Sequence, residues 1–82
     1  MSAESSPYLR AQLAMAYLKS AIHETLVSAP PEGLRNADIG RQLGIYMGHA
    51  EHEGHIPRTL LAIMEAEGVV EQIGQTKHWK LR

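Results

Sequence analysis

Gly33-Leu34-Arg35-Asn36-Ala37-Asp38-Ile39-Gly40-Arg41-Gln42-Leu43-Gly44 combines a short extended segment with a capped helix and a glycine stop. Its first three residues are too few for an independent strand but enough to pair with a later one. Asn36 has an N-cap side chain, and Asp38 stands in the first turn, where the helix dipole favours an acid. Ile39 and Leu43, four apart, mark the buried side of a short helix that Gly44 ends in a left-handed C-terminal position. Gly40 costs that helix about 1 kcal/mol relative to alanine, so its use is to let another helix come close.

Upstream, Ala29-Pro30-Pro31-Glu32-Gly33 ends whatever helix precedes it, because neither proline can continue one. Ser6 and Pro7 suit the N-cap and first position of such a helix, which then runs to about Ser28. Residues 1–6 are read as a disordered N-terminal end bearing that cap, and residues 7–82 as a single domain. At 100° per residue, Met15, Leu18, Ile22 and Leu26 share one face. Leu9, Leu13, Ala16 and Tyr17 form a second stripe. A three-helix core needs only one stripe, so Leu9, Leu13 and Tyr17 are expected to be covered by a neighbouring element or to make a dimer contact.

Downstream, Gly44 to Gly54 is a polar loop, and a third helix spans His55 to Glu67 with Pro57 in its first turn and Gly68 ending it. Ile56, Leu60, Leu61, Ile63 and Met64 form its apolar arc. His55, Arg58, Thr59 and Ala62 recur at i, i+3, i+4 and i+7 on the other side and define an outward face. The period then changes. Val69, Val70 and Ile73 precede the turn Gly74-Gln75-Thr76, and Lys77 to Arg82 alternates with period two, which predicts a β-hairpin with Trp79 and Leu81 inward and His78, Lys80 and Arg82 outward. The plainer reading of that basic strand is the solvated face any half-exposed hairpin carries.

The whole is a mainly α chain with a small β-hairpin, an α+β fold. Its 82 residues suit one compact domain and leave little volume for an enclosed catalytic pocket. Eight Lys and Arg against nine Asp and Glu give a net charge of −1, so binding to an anionic partner must come from local patches. With no cysteine there is no disulfide framework and no thiolate, which points to an intracellular, cytoplasmic protein. No apolar run approaches the roughly 20 residues that cross a bilayer, and membrane association is not expected. Met1 fits the start of a full-length chain.

The order helix, short strand, helix, helix, hairpin resembles the winged helix-turn-helix family over nearly the whole chain from Pro7 onward. Gly33 to Gly44 is similar to that family's first strand and second helix. Leu60-Leu61-Ala62-Ile63-Met64-Glu65-Ala66-Glu67-Gly68-Val69-Val70 resembles the end of its third helix running into the wing. The resemblance implies a three-helix core plus a C-terminal wing, and non-enzymatic binding of double-stranded DNA with helix 55–67 in the major groove and wing 69–82 on the backbone. Together with the helix projection it assigns His55, Arg58, Thr59 and Ala62 to the DNA-facing helix, Lys77, His78 and Lys80 to the wing, and Arg35 and Arg41 to phosphates beside the second helix. A homodimer engaging an inverted repeat, with a role in transcription regulation, completes this expectation. The link Gly44 to Gly54 has eleven residues against the 3 to 4 usual between the helices of a helix-turn-helix. Glu51, Glu53, Glu65, Glu67 and Glu71 also lie near the proposed DNA side. Those acids carry the alternative, a winged-helix module that binds a partner protein and no DNA.

His49, His52 and His55 recur every third residue with Glu51 and Glu53 interleaved, ligand types that zinc accepts. The plainer reading is a solvated polar loop, so no metal and no cofactor are expected. An acid–base enzyme on His52 and Glu53 lacks a nucleophile and a third positioning group, and no catalytic residue is assigned. Tyr46 reads as a loop anchor, His23 as a surface residue, and Trp79 as a core residue with its indole N–H near the surface.

Overall fold

A computed structural model describes residues 6–45 and 54–82 of the chain. It contains α1 (Pro7–Val27), α2 (Asn36–Leu43), α3 (His55–Ala66), β1 (Val70–Gln72) and β2 (Trp79–Leu81). The strands form one antiparallel hairpin in which Val70, Glu71 and Gln72 face Leu81, Lys80 and Trp79. The chain is therefore mainly helical with a two-stranded hairpin, in the order expected from the sequence. The readings of residues 1–5, of Tyr46, and of His49, Glu51, His52 and Glu53 lie outside the described residues.

Ser6 begins the first helix: its Oγ accepts the Leu9 N–H at 3.4 Å, which makes it an ordered cap. Along 21 residues, α1 buries only Ile22 and Leu26, with Met15 and Leu18 packed against the edge of the core. Ile39 of α2, Leu60, Leu61 and Met64 of α3, and Val70 and Trp79 of the hairpin complete that core. Pro57 is fully buried as well, so the inward stripe of α3 runs Pro57, Leu60, Leu61, Met64. Ile56 was expected in that arc but is 38% exposed, because it sits about 100° around the helix from Pro57, off the stripe axis.

Leu34 meets the hairpin as an isolated antiparallel bridge to Trp79, donating N–H to its carbonyl at 3.0 Å and accepting from its N–H at 2.7 Å. The residues before α2 thus add one rung to the sheet. Gly33 makes that rung possible. Its φ is +84°, and a Cβ there would stand 2.2 Å from the Trp79 carbonyl oxygen.

Two local expectations are corrected. The N-cap of α2 is Arg35, with extended backbone and its N–H held by Asp38 Oδ2 at 3.0 Å. Asn36 is the first helical residue, because its side-chain oxygen accepts the Trp79 indole N–H at 2.7 Å and is not free to cap. Lys77 was placed in the second strand, yet it has φ +64° and closes the hairpin turn, donating N–H to Ile73 at 2.8 Å. That left-handed residue lets a six-residue connection reverse the chain. A lysine there costs about 1 kcal/mol that glycine would avoid.

The radius of gyration is 13.7 Å, against about 12 Å for a compact chain of this length. The longest extent is 49 Å. A 21-residue helix is about 31 Å long and is anchored at its C-terminal end, so its N-terminal half projects past the core. No helix among the described residues is long and apolar enough to cross a membrane.

Candidate functional site

Where the starts of α2 and α3 meet the hairpin turn, the surface opens into a cleft of about 380 Å³. Arg35, His55, Arg58 and Lys77 line it together with Asn36 and Gly54, and among the described residues no carboxylate lines it. These cationic side chains come from three places in the sequence. Arg35 follows the Leu34 rung, Arg58 lies one turn into α3, and Lys77 is the left-handed residue of the turn.

Close backbone approach brings them together. At Gly54, the N-cap of α3, an added Cβ would lie 2.8 Å from the Asn36 Cβ. The start of α3 can therefore sit against the start of α2 only because position 54 has no side chain. Asn36, held in turn by the Trp79 indole, ties the same place to β2. The positive ends of two helix dipoles converge on the cleft, and α3 begins without a side-chain cap.

Asp38, in the first turn of α2, is engaged where it stands. Asp38 takes the Arg35 N–H on Oδ2 and Arg41 Nη2 on Oδ1 at 2.7 Å. Arg41 is thus an ion-pair partner on the α2 surface and does not line the cleft. Three permanent positive charges around one open depression repel each other, and an anion placed among them relieves that repulsion. Guanidinium groups match phosphate or carboxylate oxygens with paired N–H donors.

The other expected site residues are placed as follows. Thr59 and Ala62 are exposed on the same side of α3 as His55 and Arg58, and continue that face beyond the cleft. Lys80 is exposed on β2, opposite Glu71 in the hairpin register, so an acid partly cancels its charge. His78 is half-buried with Nδ1 3.1 Å from the Glu32 carbonyl oxygen, and since a carbonyl only accepts, Nδ1 carries the proton in that contact. The cleft gathers Arg35, His55, Arg58 and Lys77, and leaves Arg41, His78 and Lys80 outside.

Sequence reasoning missed Gly54 and Asn36 as the residues that shape the cleft. A glycine directly before a helix was a visible signal, but its meaning depends on what α2 places beside it. Among the described residues no group of three His, Cys, Asp or Glu side chains is arranged to hold a metal ion. Comparisons with protein-family models, with curated proteins and with solved structures find no match to this chain.

Proposed function

We propose that the chain is a winged helix that binds double-stranded DNA without catalytic chemistry and acts in the cytoplasm as a regulator of transcription. The observation that supports this reading is the cleft that joins Arg35, Arg58 and Lys77 from three separate places in the fold. Backbone phosphates are the anions such a surface meets repeatedly on a duplex, and phosphate contacts fix the register of a protein on DNA. With a phosphate in the cleft, the exposed face His55, Arg58, Thr59 and Ala62 lies along the adjoining groove. At 12 residues α3 is about 18 Å long, and the major groove, about 12 Å wide, admits such a helix. Arg58 stands where the cleft meets that face, so its guanidinium can reach a phosphate or a guanine edge.

One observation favours the other reading, a winged helix that docks a partner protein. Glu65 and Glu67 near the end of α3 and Glu71 on the hairpin are exposed and would repel phosphates at that end. A titration of random-sequence duplex DNA by fluorescence anisotropy at several salt concentrations separates the two. The DNA reading expects a log–log salt slope of about −3, one unit for each cleft cation. Arg58→Ala and Lys77→Ala should each reduce that slope by about one unit while leaving thermal melting unchanged. No binding at low salt overturns the DNA reading in favour of the partner-binding one.

A further inference from the structure

We infer that two copies of this chain pair through α1, packed antiparallel on the face turned away from the core. Leu9, Leu13, Ala16, Ser20, His23 and Val27 follow one another at alternating spacings of four and three residues. That is the seam period of two helices that pack along their length. The face is open: Leu9 is half-buried, Leu13 is 40% exposed and Val27 60%, and Ala16, Ser20 and His23 are exposed. The core face of α1, made by Met15, Leu18, Ile22 and Leu26, is centred about 135° around the helix from the seam, so a second chain can reach the seam without displacing it.

Charge decides the direction and identifies the second copy as the occupant. Arg10, Tyr17 and Glu24 follow at seven-residue intervals along one flank of the seam. In a parallel pair this flank would lie on opposite sides of the seam in the two copies, so Arg10 would never meet Glu24, and the cation brought toward Glu24, Lys19, is already held by Glu67. In an antiparallel pair with Leu9 beside Val27 of the other copy, Leu13 falls beside His23 and Ala16 beside Ser20. Arg10 then lies opposite Glu24 on both sides of the two-fold axis, and the two Tyr17 rings, each 73% exposed in the single chain, meet near the axis. The small residues Ala16 and Ser20 at the centre allow close approach of the helices. The pairing would cover the Leu13, Tyr17 and Val27 side chains that the single chain leaves exposed. This pairing does not depend on DNA binding.

Sedimentation equilibrium of the full chain across the micromolar range tests the inference. The expected result is a monomer–dimer equilibrium, with Leu13→Glu monomeric throughout and unchanged in helical circular dichroism. Arg10→Glu and Glu24→Arg, both at exposed positions, should each weaken the dimer by about tenfold, because each places two like-charged pairs across the axis. The double variant Arg10→Glu with Glu24→Arg reverses both charges and should restore the dimer to within about threefold of the original. A monomer at every concentration overturns the inference, as does a dimer indifferent to Leu13→Glu. A double variant no tighter than the singles also overturns it, since only the antiparallel register pairs residue 10 with residue 24.

Discussion

The two ends of the molecule use similar side chains in opposite ways. Between Pro7 and Leu18, α1 is apolar apart from Arg10 and Gln12, yet Tyr8 and Tyr17 are about three-quarters exposed and none of that half is fully buried. At the other end, Pro57, Leu60, Leu61 and Met64 of α3 are buried, and every backbone that meets there is pinned by a named contact. Leu34 is bonded to Trp79, the Trp79 indole to Asn36, and Gly54 lies against Asn36. Apolar content does not fix burial. What fixes it is whether a second element reaches the same place, and the fully buried positions of α1, Ile22 and Leu26, both lie in its C-terminal third. Lys19 marks the boundary, with its Nζ 2.9 Å from Glu67 at the end of α3.

Substitutions at the two ends test that contrast. Leu61→Ala, at a position with no solvent exposure, should cost about 4 kcal/mol through lost burial and the cavity left behind, measured by chemical denaturation. Gly33→Ala should cost about 3 kcal/mol, because the new Cβ must move the Trp79 carbonyl that holds Leu34 and the backbone must keep a left-handed φ. A melting temperature unchanged in that variant would mean the Leu34 rung does not hold α2 to the hairpin. Lys77→Gly should raise stability by about 0.5 to 1 kcal/mol by removing left-handed strain, while DNA affinity falls with the lost cleft charge. Gains in both would separate Lys77 from the site. The smallest effect belongs to Leu13→Ala, expected to stay within about 0.5 kcal/mol in dilute monomeric solution. A cost there approaching that of Leu61→Ala would show that the projecting half of α1 is covered within the single chain, and the contrast would collapse.

Much of this architecture was legible residue by residue. Pro30 and Pro31 had to end a helix; Ile39 and Leu43 had to share a face; Gly68, with φ +80°, had to stop α3; and the change from a helical to a two-residue period at Val69 announced the hairpin. Trp79 was readable as core, and the outward face His55, Arg58, Thr59 and Ala62 follows from spacing alone and is exposed in the structure. The cap of α2 was misassigned because the partner that occupies Asn36, the Trp79 indole, lies 43 residues away. Alternation of residue types extends the strand to Lys77, because it says nothing about the sign of φ.

The elements and their order follow from helix stops, caps and periodicity, which are local properties of the chain. Which charges act together follows from packing. Arg35, Arg58 and Lys77 become neighbours because Gly54 lets α3 touch α2 and a left-handed turn residue meets them both. Arg41, just as basic, is drawn off by an aspartate one turn away. Charge clusters form through space, and spacing along a chain does not contain the distances that make them.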